Sequence, residues 1–238
     1  DKVATAAIAS VSGGGASENG SQSVSITITE YENALTASLS VSGSSILESS
    51  SGTITLTATL SEIADAAVTV TLSGSGAAAA GADYVSLSSI TVAAGSATGT
   101  TNFTPTDDAI YEGDEVATVA ISSVSGAGAT ENGSQSVSIT VIEDESAPTV
   151  SLTSSNSSIS ESSSGAITLT ATLSQIADEV VTVSFSTSGT ATEGTDYASL
   201  SSITIAAGST TGTTTFTPID NAAYESDKVV TAAIASVS

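Results

Sequence analysis

Apolar and polar residues alternate with a period of two along much of this chain. In Thr53–Leu60 the even-numbered side chains are apolar and the odd-numbered ones are threonine, and Val68–Leu72 alternates in the same way. Successive side chains of a strand point to opposite faces, so this pattern predicts strands with one buried face. Comparable segments are Ser89–Val92, Thr98–Phe103, Glu115–Ser122, Gln135–Ile142 and Thr149–Leu152. Glycine, proline and Asn-Gly pairs separate them, and no segment predicts an amphipathic helix.

The chain also repeats itself at an interval of 113 residues. The string ENGSQSVSIT begins at Glu18 and again at Glu131 (131 − 18 = 113), and residues 1–12 return with one change at 227–238. About seven short strands in roughly 100 residues is typical of an immunoglobulin-like antiparallel sandwich. We therefore expect an all-β chain of tandem seven-stranded β-sandwiches, taken from a longer array.

Strand positions divide the chain into three parts. Residues 1–33 are expected to be the closing strands of a preceding module, residues 34–146 a complete module, and residues 147–238 a second module without its last strand. Tyr111 and its repeat Tyr224 precede the sixth strand of their modules. They are candidates for a tyrosine corner, although an ordinary partly buried tyrosine explains them equally well.

Composition narrows the partners of such an array. The chain has 25 acidic residues against two basic ones, a net charge of −23, which argues against nucleic acid and against anionic membrane surfaces. A cation is the natural partner, because crowded carboxylates repel one another. No stretch approaches the ~18 apolar residues of a membrane helix, so we expect no membrane insertion in this segment.

Four segments in fixed order resemble the Calx-beta family, the module named for sodium–calcium exchangers and common in bacterial surface proteins. They are Glu48-Ser49-Ser50-Ser51-Gly52, Gly81-Ala82-Asp83-Tyr84, the acidic loop 107–115 and Ile142-Glu143-Asp144-Glu145. The resemblance covers essentially the whole chain and implies a sandwich with a Ca²⁺ cluster at one end. Carried over by position, the implied ligands of the central module are Glu48, Asp83, Asp107, Asp108, Glu112 and Glu115, closed by Glu143, Asp144 and Glu145. Ca²⁺ takes six to eight hard oxygen ligands, mostly carboxylates, which suits this set.

The second copy departs from the pattern. The positions that it keeps are Glu161, Asp196, Asp220 and Glu225, with Asn221 in place of one aspartate. Lys228 stands where the central module has Glu115, and Lys2 stands there in the opening fragment, whose exit reads Glu30-Tyr31-Glu32. Lysine cannot ligate a metal, so we expect fewer or weaker ions at these places. The remaining acids are interpreted as surface charge: Glu62, Asp65, Asp178, Glu179 and Glu193.

Catalysis is not expected, because the chain has no His and no Cys to build a nucleophile system. We expect a calcium-binding structural module of a secreted, bacterial extracellular or cell-surface protein, in which Ca²⁺ stiffens the junctions between modules. Its partners are then calcium ions and neighbouring modules of the same or identical chains. Three alternatives stay open: a filament subunit completed by strand exchange between chains, an adhesin for a cell-surface or glycan ligand, and a Ca²⁺ sensor.

Overall fold

A computed structural model describes residues 2–29 and 33–238, and all of its regular elements are β-strands. The strands are β1 (Lys2–Ala7), β2 (Ser23–Ile28), β3 (Thr36–Val41), β4 (Ser45–Leu47), β5 (Ile54–Leu60), β6 (Val68–Gly76), β7 (Ile90–Val92), β8 (Thr98–Phe103), β9 (Glu115–Ser125), β10 (Thr130–Glu131), β11 (Ser136–Ile142), β12 (Val150–Ser154), β13 (Ile167–Leu173), β14 (Val181–Gly189), β15 (Ile203–Ile205), β16 (Thr211–Phe216) and β17 (Val230–Val237). These described residues include no helix that could cross a membrane. The segment Glu30-Tyr31-Glu32, expected to weaken the first junction, lies outside them.

Strands β3 to β11 form the first module as two sheets, ordered β10-β3-β5-β8 and β4-β11-β9-β6-β7. The main pairings are antiparallel, whereas the short edge strands β10 and β4 pair in parallel with β3 and β11. The predicted all-β sandwich architecture is confirmed. The two parallel edge pairs were not foreseen, since strands of two or three residues leave little periodicity to detect.

Strands β12 to β17 form the second module, again as two sheets, ordered β12-β13-β16 and β15-β14-β17. Strand β17 corresponds to β9 at the 113-residue shift, and it is an edge strand, whereas β9 has β11 beside it. The hairpin of β1 and β2 precedes the first module, and every side chain of both strands is exposed.

The alternation seen in the sequence places the core. In β5 the side chains of Ile54, Leu56, Ala58 and Leu60 are buried, while the intervening threonines face outward or lie half-buried. Each module has its own hydrophobic core, with Tyr84 stacked on Phe103 in the first and Tyr197 on Phe216 in the second. Full burial of one such apolar side chain is worth about 1.5–3 kcal/mol, so these inward-facing side chains are a main source of stability for each sandwich.

A glycine at the end of β6, and its repeat at the end of β14, brings the backbone close to the strand that follows the acidic loop of each module. Gly76 has φ 116°, and a Cβ there would lie 2.1 Å from the carbonyl oxygen of Val116, next to Glu115. Gly189 is its repeat, with φ 125° and the same 2.1 Å approach to Val229. Only glycine fits this left-handed, closely packed backbone, so the chain near the start of β9 and of β17 is approached in the same way in the two modules.

Candidate metal centre

Three groups of carboxylates meet at one end of the first module. Their ligand atoms lie within 4.8 Å of one another in each group. The groups are Glu48 with Glu143, Asp144 and Glu145; Glu48 with Asp108 and Glu112; and Asp83 with Glu112 and Glu115. Shared membership of Glu48 and Glu112 makes them one continuous cluster, drawn from four separate segments of the chain.

Two of these carboxylates are buried. Glu48 is 4% exposed and Asp83 is 5% exposed, and they are the buried charged residues of the described chain. Burial, reinforced by the nearby Glu143 carboxylate, raises the pKa of Glu48 to about 7. An isolated buried carboxylate is costly unless a cation or a proton compensates it, so this position calls for one of the two.

Ionisation is also disfavoured in the group of Asp83, Glu112 and Glu115. Burial and a side-chain hydrogen bond to Asp83 raise the pKa of Glu112 to about 8, and burial with the charge of Asp83 raises the pKa of Glu115. One oxygen of Asp83 is already taken, because Asp83 Oδ2 accepts the backbone N–H of Ala79. The two raised pKa values show that burial and the nearby carboxylates oppose ionisation of Glu112 and Glu115 in the absence of a cation.

Glu143 behaves in the opposite way. Burial alone would raise the pKa of Glu143, but hydrogen bonds from the backbone of Glu112, Glu145 and Gly113 outweigh it and lower the pKa. Its Oε2 accepts the N–H of Glu112 at 2.5 Å and of Gly113 at 2.8 Å, and its Oε1 accepts the N–H of Glu145 at 2.9 Å. Glu143 thus ties the loop 107–115, here called the ligand loop, to the exit segment 143–145.

The structure also shows which predicted positions are brought together and which are not. In the first module every predicted ligand except Asp107 belongs to one of the three groups, and Asp107 is exposed outside them. Asp108 has a second role, since its Oδ1 accepts the N–H of Ile110 at 2.7 Å and shapes the ligand loop as an Asx turn.

The second module holds its predicted residues differently, and no acidic group of three forms among its described residues. Lys228 Nζ lies 2.7 Å from Asp196 Oδ1 and 2.7 Å from Glu225 Oε1. Hydrogen bonds to Lys228 lower the pKa of Asp196, and hydrogen bonds to Asp196 and Glu225 raise the pKa of Lys228. Glu161 Oε1 accepts the N–H of Asn221 at 3.0 Å, while Asp220 is exposed and in none of these contacts.

Two acidic residues outside the predicted ligand set also interact with the cluster, Asp114 and Asp178. Asp114 Oδ1 accepts the N–H of Glu143 at 3.1 Å, which gives the exit segment a second tie to the ligand loop. Asp178, interpreted as plain surface charge, belongs to the second module, but its charge contributes to the raised pKa of Glu115 in the first. Asp65 is the repeat of Asp178, 113 residues earlier. This recurrence was a signal in the sequence that the position matters, but it does not identify a partner across the junction.

The tyrosine-corner interpretation is wrong for Tyr224, whose side chain is 101% exposed. Tyr111 is half-buried, and its backbone pairs with the second module: Tyr111 N donates to Ile176 O at 3.0 Å and Asp178 N donates to Tyr111 O at 3.2 Å. The residues 174–180 that receive it are called the docking loop. Ile176 is half-buried there, whereas its repeat Ile63 is 66% exposed.

The donor chemistry of the first module fits calcium. All ligand candidates are carboxylates, the hard oxygen donors that Ca²⁺ prefers, and they exceed six in number across the continuous cluster. One buried oxygen, Glu145 Oε2, has no hydrogen-bond partner. A side-chain hydrogen bond to Glu143 raises the pKa of Glu145, which again indicates carboxylates that lack a countercharge.

The fold and this cluster define a tandem β-sandwich protein with an acidic centre at a module end. The model of the Calx-beta domain matches residues 32–146 and 143–238, and the chain belongs to that family, whose domains bind Ca²⁺. No curated protein sequence matches the chain.

Solved structures of Calx calcium-binding domains are also similar to this chain. CBD12 from CALX1.2 aligns at 19% identity over 76% of this chain and 74% of that one, with a TM-score of 0.39. CBD12 of CALX1.1 aligns at 19% identity over 74% and 73%, with a TM-score of 0.39. The apo form of the Calx CBD1 domain aligns at 16% identity over 48% of this chain and 100% of that one, with a TM-score of 0.41. The family assignment rests on the domain match alone.

Proposed function

We propose that this chain is a calcium-dependent structural segment of an extracellular surface protein, in which Ca²⁺ held at the end of one module stiffens the junction to the next. The ligand loop carries the proposal. It supplies Asp108, Glu112 and Glu115 to the acidic cluster, and through Tyr111 it also bonds to the docking loop of the second module. A cation that orders this loop therefore orders the surface on which the second module sits.

The covalent connection between the modules passes through the same cluster. The exit segment begins directly after β11, and Glu143 binds the backbone of the ligand loop at Glu112 and Gly113. Just beyond it, Ser146 O accepts a hydrogen bond from Gln175 Nε2 in the docking loop. Both routes from one module to the next, the linker and the docked loop, thus converge on the carboxylates.

The charge of the carboxylate cluster gives a reason for the dependence on Ca²⁺. Without a cation, the raised pKa values of Glu48 and Glu112 reflect carboxyl groups that resist ionisation together. Ca²⁺ would be held by Glu48, Asp83, Glu112, Glu115 and the exit segment, and it would supply the missing positive charge. Extracellular modules commonly bind Ca²⁺ with dissociation constants of about 10⁻⁴–10⁻³ M, which suits a site that is filled outside the cell.

Isothermal titration of Ca²⁺ into the full chain tests this function, with Glu112→Gln and its repeat Glu225→Gln as a matched pair. Because Glu112 belongs to two of the three carboxylate groups, its loss should weaken Ca²⁺ binding by roughly 100-fold, about 2.7 kcal/mol. Glu225→Gln should leave the first-module affinity unchanged. No binding at millimolar Ca²⁺, or equal losses from both variants, would remove the proposal.

Strand exchange is a second candidate, favoured by one observation. The groove beside β17 has a volume of about 860 Å³ and is lined by core side chains such as Leu169 and Phe216. Strand β2 carries the sequence SVSIT that fills the corresponding place in the first module as the start of β11. A second copy could donate it. Sedimentation of the chain from low to high concentration tests this, since a strictly monomeric chain contradicts strand exchange.

We also propose that the chain is not an enzyme, in keeping with its lack of His and Cys. Binding to a glycan or another cell-surface ligand, action as a Ca²⁺ sensor and a bacterial source stay predictions of the sequence.

A further inference from the structure

Three equivalent positions at the module end carry different sets of charged side chains in the two modules. In the first module they are Asp83, Glu112 and Glu115; at the 113-residue shift they are Asp196, Glu225 and Lys228. The aspartate is held alike in both: Asp83 Oδ2 accepts the N–H of Ala79 and Asp196 Oδ2 accepts the N–H of Thr192 at 2.6 Å. Asp196 Oδ1 then accepts from Lys228 in the second module, and Asp83 lies within ligand distance of Glu112 and Glu115 in the first.

The surrounding turn is also shared. Asn221 Oδ1 accepts the N–H of Ala223 at 2.8 Å, as Asp108 Oδ1 accepts the N–H of Ile110 at 2.7 Å. The exchange of aspartate for asparagine therefore keeps the turn, because either side chain provides the same acceptor oxygen. What differs between the modules is the third group, a carboxylate in one and an ammonium in the other.

The ammonium of Lys228 fills the space between the two acids. Its Nζ lies 2.7 Å from both Asp196 Oδ1 and Glu225 Oε1, which are short, charge-assisted hydrogen bonds. The side chains of Asp196, Lys228 and Glu225 are 10%, 28% and 29% exposed, so Asp196 is sheltered while Lys228 and Glu225 lie at the surface and are held mainly by their hydrogen bonds.

We propose that the ammonium group of Lys228 takes the place that Ca²⁺ would occupy beside Asp196 and Glu225. It neutralises these two carboxylates without metal and excludes a divalent ion from between them. The proposal rests on the proposed function for its view of the first module. A divalent ion would have to break both hydrogen bonds of Lys228 and would then lie against an ammonium group, which opposes it by charge. The carboxylates at the two module ends are therefore neutralised in different ways. Neutralisation in the first module depends on the calcium concentration, and neutralisation in the second does not.

Lysine reactivity tests this directly, because the chain has only two basic residues and Lys2 serves as an internal reference. Within residues 2–29 and 33–238, Lys2 contacts Asp65 at 3.3 Å, and both side chains are more than three-quarters exposed. Acetylation of the full chain, followed by mass spectrometry of each lysine, should modify Lys228 roughly tenfold more slowly than Lys2. The ratio should be the same in millimolar Ca²⁺ and in chelator.

Two variants test whether slow acetylation of Lys228 is due to its hydrogen bonds with Asp196 and Glu225 or only to general burial of its side chain. Asp196→Asn and Glu225→Gln should each bring the acetylation rate of Lys228 towards that of Lys2. Equal rates for the two lysines in the unaltered chain would overturn the proposal, and so would an acceleration at Lys228 when Ca²⁺ is added, because that would mean the metal displaces the lysine.

Charge reversal gives a second, independent readout. Lys228→Glu should add at least one Ca²⁺ equivalent in titration of the full chain, and Glu115→Lys should remove at least one. If Lys228→Glu unfolds the second module by circular dichroism, the acetylation rate of Lys228 in the unaltered chain, with and without Ca²⁺, still decides. Failure of the proposed function would show as no Ca²⁺ binding by the unaltered chain with Lys228 still protected. Failure of this inference alone would show as Ca²⁺ binding with Lys228 freely modified.

Discussion

The two modules share a scaffold but differ in how each balances the charge at its end. In the first, Glu112 and Glu115 have raised pKa values because acids surround them, whereas in the second the pKa of Asp196 is lowered and that of Lys228 is raised because they bind each other. The aspartate, its backbone donor and the Asx turn are the same in both. At the position shared by Glu115 and Lys228, the first module carries a carboxylate that adds to the uncompensated charge, and the second carries its own cation.

The junctions differ at the same position. Lys2 pairs with Asp65 across the first junction, while Glu115 faces the charge of Asp178 across the second. An exposed ion pair such as Lys2–Asp65 is worth about 0–1 kcal/mol. A pair of carboxylates in the same place is repulsive until a cation lies near them. If Ca²⁺ stiffens the junctions as proposed, its effect is expected to be larger at the second junction than at the first.

The largest expected effect concerns what the modules have in common. Gly76→Ala and Gly189→Ala should each destabilise their own module by about 3 kcal/mol, because the new Cβ meets a carbonyl oxygen and the positive φ disfavours alanine. Denaturant unfolding of each variant would measure this loss. Equal losses support a shared scaffold, and a much smaller loss in one module would show that β9 and β17 start differently.

The sequence allowed much of this to be predicted, for identifiable reasons. Period-two alternation located β5 to within a residue, because its buried face is continuous from Ile54 to Leu60. The weak points were β4 and β10, which are too short to show a period, and the contacts across the junction, which depend on the docking of one module against another. Asp178 and Tyr111 carry no local signal of that docking.

Dependence on pH should separate the modules next. The pKa of Glu48 is raised from 4.5 to about 7 and that of Glu112 to about 8, so the calcium-free first module binds more protons folded than unfolded. Its stability should therefore fall as pH rises from about 4.5 to 8, and its Ca²⁺ affinity should rise over the same interval.

The second module should be nearly flat over that interval. The lowered pKa of Asp196 contributes stability above about pH 4 that is lost only on further acidification, and the raised pKa of Lys228 contributes stability that is lost only in strong alkali. Calorimetric melting in chelator at pH 5 and pH 8 checks both modules, with the glycine variants assigning the two transitions. Parallel shifts of the two transitions would contradict the assigned electrostatics.

The smallest expected effect lies at the junction. Asp178→Asn removes a negative charge facing Glu115 and should change Ca²⁺ affinity by no more than about threefold, since Asp178 is exposed and screened. The matched control Asp65→Asn removes the partner of Lys2 and should leave Ca²⁺ affinity unchanged. A loss beyond tenfold in Asp178→Asn would instead make Asp178 a direct ligand supplied by the second module.

The central claim is that Ca²⁺ narrows the range of orientations between the modules. Because the chain has no native cysteine, spin labels at Thr98→Cys in β8 and at its repeat Thr211→Cys in β16 would report a single distance, measured by pulsed electron paramagnetic resonance. We expect a broad distance distribution in chelator that becomes narrow in millimolar Ca²⁺, and no narrowing when Glu112→Gln is added. A distribution of the same width with and without Ca²⁺, in a chain that demonstrably binds the metal, would contradict the account.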